Sequence, residues 1–236
     1  MPKVVFCIPT ITKPYKQFLE SLEASLPILE KAGWEHSAVY EIGNPYISAA
    51  RSIMLRKALD QKPDCVVFLD HDLSWNPEDL LRLINSPAPV TAGTYRFKRD
   101  DEVTYMGRTK KGETSKPIVK DIVSGETPYI QMECVPAGFL KMDAKAIAVF
   151  MTAYPELLYG DRYAPSVDLF NHGAIDWTWY GEDYAFSKRW NEKCGQIWLI
   201  PDLNITHWRG DVEFKGNYHE FLLSKGKEEA KLKAVK

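Results

Sequence analysis

The chain has 236 residues, 45% of them hydrophobic and 12% aromatic, which allows a sizeable core in one large domain or two small ones. A formal net charge of -2 excludes a global attraction to nucleic acid or to an anionic membrane. No basic start followed by an apolar core marks a signal peptide, because Lys13, Lys16 and Glu20 come too early, and no apolar run approaches the roughly 18 residues of a spanning helix.

In chain order, Lys3 to Ile8 reads as a β-branched strand that Pro9 and Thr10 end. Tyr15 to about Leu29 carries Phe18, Leu19, Leu22, Leu26 and Leu29 at helical spacing, with Pro27 expected to disturb the last turn. Trp34 to Ile42 is a second strand, so the opening unit is strand, helix, strand with a parallel sheet. Tyr46 to Leu59 follows as a helix with Arg51 near its start. Cys65 to Leu69 is a fully apolar strand that runs into Asp70, His71 and Asp72. Asn76 reads as a cap, with Pro77 at the first position of a helix to about Ile84, and Val90 to Gly93 is another strand.

The pattern then changes. Tyr95 to Thr127 is rich in charge, Gly and Thr and reads as short strands and a mobile loop. Tyr129 to Val135 alternates like a strand, Pro136 to Gly138 turns, and Phe139 to Met142 is a short strand. Asp143 is expected to cap a helix over Ala144 to Ala153. Tyr154 to Asp176 shows no period and reads as a long functional loop. Gly181 opens a helix that Gly195 ends, two short strands follow over Ile197 to Ile200 and Leu203 to His207, and Tyr218 to Lys236 is a charged terminal helix. Cys7, Cys65, Cys134 and Cys194 lie far apart and read as small core residues of a reducing compartment, so a soluble cytoplasmic protein is expected.

Four groups could carry chemistry. A buried strand has no use for carboxylates, so Asp70 and Asp72 must lie just past its carboxyl end, where open α/β sheets bind ligands. Two acids one residue apart suit a hard divalent cation carrying phosphate oxygens. Glu182 and Asp183 either complement the dipole of their helix or supply a general base, and spacing alone does not choose. His207 follows an apolar strand and would suit a third metal ligand, although a lone His there is commonly structural. Arg51 and Arg96 could meet phosphates or pair with carboxylates, and Trp179 and Trp208 belong to an aromatic set of the kind on which sugar rings stack.

Taken in order, these motifs resemble a glycosyltransferase of the GT-A fold, nearest to the family 2-like enzymes of bacteria, phages and large viruses. The resembling pieces are Val5 to Thr10, Ala49-Ala50-Arg51, Val66 to Asp72, Trp75-Asn76-Pro77, Val135 to Phe139, Gly181 to Phe186, and Thr206-His207. They cover about residues 3 to 210. The resemblance implies a mixed α/β sheet in one domain over residues 1–217. About 1–94 would bind the nucleotide-sugar and 95–217 the acceptor, with a charged helix or tail at 218–236. It implies Pro9, Thr10, Arg51, Asp70, His71 and Asp72 at the nucleotide, and Mn2+ or Mg2+ on Asp70, Asp72 and His207. It implies Asp183 as base with Glu182 as its partner, and Gly138, Trp179, Trp208 and Arg96 at the acceptor. A single displacement would invert the anomeric centre. The donor would be a UDP-sugar by default, and the acceptor a glycan or another hydroxyl. A hydroxylated DNA base is the lesser reading, prompted by the basic stretch Arg96 to Arg99.

Two rivals stand beside this. A phosphohydrolase of haloacid-dehalogenase type also ends a buried strand in acid-x-acid, followed by a hydroxyl residue, here Ser74, with Asp70 then a nucleophile. A non-catalytic nucleotide or glycan binder would keep the fold without a working base.

Overall fold

The computed structural model describes residues 1–110 and 129–225. The centre is an eight-stranded mixed sheet. Its strands are β1 (Lys3–Thr10), β2 (Glu35–Ile42), β3 (Cys65–Leu69), β5 (Val90–Ala92), β6 (Arg108–Thr109), β7 (Ile130–Cys134), β8 (Phe139–Asp143) and β13 (Ile197–Leu199), in the order β2-β1-β3-β8-β5-β13-β7-β6. β1 pairs in parallel with both β2 and β3, as the opening strand–helix–strand unit predicts. β8 then runs antiparallel between β3 and β5, so strands from both sides of residue 94 share one sheet. The expected α/β class with a mixed central sheet is what forms.

The sheet is covered on both faces, which explains why its central strands are apolar without alternation. Val5, Cys7, Val66 and Phe68 point to one core, with Met54 and Leu55 of α2 (Ile47–Leu59), Phe150 of α4 (Ala144–Ala153), and Phe186 and Trp190 of α5 (Glu182–Lys193). Val4, Phe6, Ile8, Val67 and Leu69 point to the other, with Phe18, Leu22 and Leu29 of α1 (Lys16–Lys31) and Leu80 and Leu83 of α3 (Pro77–Ile84). The four cysteines are free thiols, three of them buried in strands.

A second, three-stranded sheet fixes the far side of the site. β4 (Leu73–Trp75) starts directly after Asp72, and β14 (Asn204–Arg209) pairs between it and β15 (Val212–Asn217). His207 stands opposite Leu73, and the Trp208 amide donates to the Asp72 carbonyl at 2.8 Å. That register is what delivers a histidine from residue 207 to an aspartate at 72.

Several boundaries differ from expectation. α1 continues through Pro27 to Lys31, because the proline lies on the exposed face while Leu29 is buried. Asn76 and Asp143 precede their helices but make no side-chain capping bond, and Asp143 instead pairs with buried Lys141 at 2.6 Å. The stretch expected as a loop, Tyr154 to Asp176, holds a short 3-10 turn and most of two hairpins. These are β9 (Leu158–Asp161) with β10 (Ala164–Val167), and β11 (Gly173–Ile175) with β12 (Thr178–Tyr180). Residues 218–225 are helical, as expected. The loop expected up to Thr127 and the tail expected to Lys236 lie, at 111–128 and 226–236, outside the described residues. No helix among the described residues is long and apolar enough to cross a membrane.

Candidate active site

The carboxyl ends of β1 and β3 carry the first group. His71 Nδ1 donates to the Pro9 carbonyl at 3.1 Å, and its ring meets Tyr15 edge-on at 5.6 Å. Thr10 is buried beside it, and its hydroxyl has no hydrogen-bond partner. Pro9 and His71 are therefore brought together, with Thr10 the next residue of β1.

Asp70 and Asp72 take different partners. Asp70 Oδ1 accepts from Arg51 Nη2 at 2.9 Å, and Oδ2 faces the Tyr95 hydroxyl at 3.4 Å. Asp72 Oδ2 accepts from Lys98 Nζ and faces His207 Nε2 at 3.5 Å. Burial would raise the Asp72 carboxyl, but His207 and Lys98 outweigh it and hold the group well below the usual carboxylate range. His207 Nδ1 lies 2.8 Å from the Arg96 carbonyl, which can only accept, so Nδ1 carries the proton. Nε2 faces the Asp72 carboxylate either with a second N–H, the form in which His207 lowers that carboxyl, or in the neutral ring with a lone pair that can share a cation with it.

Asp72 and His207 thus fit a divalent ion as two of its ligands. Asp70, expected as a third, is engaged by Arg51 and Tyr95, and no group of three His, Cys, Asp or Glu among the described residues is placed to hold a metal. Further oxygens would have to come from a ligand's phosphates and from water.

Arg51 is the hinge of the site. It is 2% exposed, so it offers no free surface to a phosphate. Its guanidinium bonds Asp70 at 2.9 Å and the Ala137 carbonyl at 3.3 Å, lies 3.8 Å from Glu182, and stacks 5.4 Å over Phe170. Burial would lower its pKa, but Asp70 and then Glu182 outweigh this and keep the cation. The two acid pairs, 112 positions apart in sequence between Asp70 and Glu182, are joined through this one side chain.

Glu182 and Asp183 open α5 behind Gly181. Asp183 Oδ1 accepts the Tyr184 amide at 2.8 Å. Its carboxyl is pushed up to about 7, first by burial and then by the neighbouring Glu182, with Arg51 opposing. A first-turn acid that only complemented its helix would be expected to stay ionised far below that value.

The residues expected at the acceptor fare differently. Trp179 is 72% exposed, its ring 6.1 Å from His172. Trp208 gives its indole N–H to Ser74 Oγ at 2.8 Å. Arg96 lays its guanidinium 5.8 Å over Phe214 and reaches the site only through its carbonyl. Gly138 is a steric necessity next to Asp70: a Cβ there would lie 2.3 Å from both Asp70 Oδ2 and the Tyr95 hydroxyl. Lys98 and Tyr95 escaped sequence reasoning. Lys98 sits in a basic stretch broken by acids, and nothing local marks Tyr95 as buried against Asp70 and His207.

No known family pattern and no curated protein matches the chain in sequence. Among solved structures it is similar to the catalytic domain of Drosophila β1,4-galactosyltransferase 7 in complex with xylobiose (12% identity, 92% of this chain against 69% of that one, TM-score 0.49). It is also similar to a glycosyltransferase involved in glycosylation of the major capsid of PBCV-1 (10% identity, 65% of this chain against 66% of that one, TM-score 0.34). A third similarity is to the inositol-1-phosphate CTP transferase of T. maritima (10% identity, 94% of this chain against 95% of that one, TM-score 0.45).

Proposed function

We propose that the chain is a glycosyltransferase that moves a sugar from a nucleotide-sugar to an acceptor hydroxyl. The observation that carries this is the Arg51 bridge, which sets the acids after β3 and the acids opening α5 into one site. Donor and acceptor chemistry need such adjacency, since one must lose a diphosphate as the other loses a proton.

Asp183 is the base. With a carboxyl pushed up to about 7 it can accept the acceptor's hydroxyl proton near neutral pH. The acceptor oxygen then attacks the anomeric carbon as the bond to the diphosphate breaks on the opposite face, and one displacement inverts the centre. Glu182, 3.8 Å from Arg51, orients the acceptor. Pro9, Thr10 and His71 border the nucleotide. Asp72 and His207 would hold Mn2+ or Mg2+, which when bound supplies Lewis-acid neutralisation of the leaving diphosphate. Residues up to about 94, joined by His207 from the later half, serve the donor, and the remainder of the later half serves the acceptor.

A glycan is the acceptor this site favours, with exposed Trp179 as a stacking surface. Of the charges that would favour DNA, Lys98 is neutralised by Asp72, while Arg96 and Arg99 lie against Phe214 and Phe97. A phosphohydrolase would need Asp70 free as nucleophile, whereas Arg51 and Tyr95 hold it and Ser74 is taken by Trp208.

Melting with UDP, GDP, CDP and CMP, each with and without Mn2+, tests the proposal. A ligand at about 100 times its dissociation constant adds roughly 2.7 kcal/mol, a shift of several degrees in a chain of this size. A shift that needs both one nucleotide and Mn2+ is expected. No shift with any nucleotide, but one with inorganic phosphate and Mg2+, would overturn it in favour of the phosphohydrolase.

A further inference from the structure

The ammonium of Lys98 rests on Asp72 Oδ2, the oxygen that also faces His207 Nε2 at 3.5 Å. One oxygen cannot serve both this ammonium and a divalent ion shared with His207 without setting two cations side by side. The main chain at Lys98 is held from β14, the strand that carries His207. Arg209 Nη1 donates to the Lys98 carbonyl at 3.3 Å, and Nη2 pairs with Asp100 at 2.7 Å. Across the same loop the Phe97 amide donates to the Thr104 carbonyl at 3.0 Å, and Arg96 bridges Tyr105. With its backbone fixed, Lys98 can leave Asp72 only by swinging its flexible four-carbon stem, so the displaced ammonium stays beside the site. The anion that a metal-bound donor would bring there is its diphosphate, and lysine binds phosphate as a point charge.

We propose that Lys98 is the resident cation of the donor site: it neutralises Asp72 in the free protein, yields that oxygen to a divalent metal, and passes its ammonium to the diphosphate of the bound nucleotide. This rests on the transferase reading only for its last step.

The test compares the wild-type chain with Lys98→Gln and Lys98→Arg. Nucleotide-free protein is titrated with Mn2+, and the free ion is followed by its paramagnetic resonance. Lys98→Gln is expected to bind Mn2+ about tenfold more tightly, since a competing ammonium of modest strength is gone, and Lys98→Arg to stay near wild type. With Mn2+ saturating, calorimetry with UDP and UMP is expected to show Lys98→Gln losing about tenfold for UDP and little for UMP. Unchanged or weaker Mn2+ binding in Lys98→Gln, with its melting temperature intact, overturns the exchange, as does an absence of Mn2+ binding in every form. Equal losses for UDP and UMP, or none, overturn the transfer to diphosphate. A wild type that binds Mn2+ but neither nucleotide refutes the transferase reading and the last step with it, while the Mn2+ comparison still decides what occupies Asp72.

Discussion

Replacing Asp183 by Asn should cost activity and increase stability, and the two effects have one cause. The carboxyl is moved from an ordinary 3.8 to about 7, so the fold favours its neutral form. Below pH 3.8 the group is protonated in folded and unfolded chain alike, and no penalty exists. As pH rises toward 7 the unfolded chain ionises first, and native stability falls. Above 7 the penalty is complete. At about 1.4 kcal/mol per pH unit, the interval from 3.8 to about 7 gives an upper bound of about 4 kcal/mol. Asp183 keeps some contact with solvent, and about 2 kcal/mol is the expected size. Asparagine keeps the shape and an oxygen for the Tyr184 amide but never ionises. The variant should therefore melt about 4 to 8 °C above wild type at pH 8 and level with it near pH 4. Its turnover should fall about 10²–10⁴-fold, and the wild-type rate should climb with pH and flatten above about 7. Paired melting curves at the two pH values, with release of nucleoside diphosphate from the donor as the activity assay, read both effects. Full activity in Asp183→Asn, or a variant less stable than wild type at pH 8, would refute the reasoning.

Arg51→Met leaves Asp70 and Glu182 without their shared cation and should cost about 3 kcal/mol in a denaturant titration, the low end for a broken buried pair because both acids keep some exposure. Any activity it retains should show its pH midpoint above 7, since Arg51 is what restrains the rise at Asp183. Gly138→Ala forces a methyl against Asp70 and Tyr95 and should cost about 1–3 kcal/mol of stability, read as a lower denaturation midpoint; an unchanged midpoint would mean that the turn gives way freely. Asp72→Asn should abolish any stabilisation by nucleotide that depends on Mn2+, and an unaltered shift would remove Asp72 from the site. Trp177→Gly should raise stability by a few tenths to about 1 kcal/mol, because Trp177 is fully exposed with φ at 65° and a tight hairpin favours glycine there.

What the sequence made legible was whatever burial writes into local pattern. The five apolar residues of β3 and the acids after them needed no partner to be recognised, and α4 has the bounds its sequence suggests. The hairpins between 158 and 180 were hidden because their strands are short and mostly exposed, so neither face alternates, and the Asp176–Trp177 turn lacks the usual glycine. The β4–β14–β15 sheet was hidden for a related reason. A three-residue strand carries too little pattern, yet its register alone brings His207 to Asp72. Arg51 was legible as a residue and not as a role: phosphate and carboxylate suit a guanidinium equally, and only its burial among Phe68, Phe170 and the acids decides.

Among the described residues, Asp70, Asp72, Glu182 and Asp183 face two permanent cations, Arg51 and Lys98, with Asp183 partly neutral near pH 7. Arg51 is consumed by the acids it bridges, and Lys98 only balances Asp72. A nucleotide diphosphate entering this site would meet a surplus of negative charge from the described residues. Among the described residues, the place suited to added positive charge is the oxygen and nitrogen that Asp72 and His207 turn toward each other. Burial first, and then Glu182 with a smaller share from Asp70, raises the Asp183 carboxyl, so part of the same surplus helps to poise the proposed base near neutrality. Neutralising Asp72 should therefore weaken the donor's hold through loss of the metal, although it makes the site less negative. A diphosphate that bound better to Asp72→Asn without Mn2+ would place the donor on electrostatics alone.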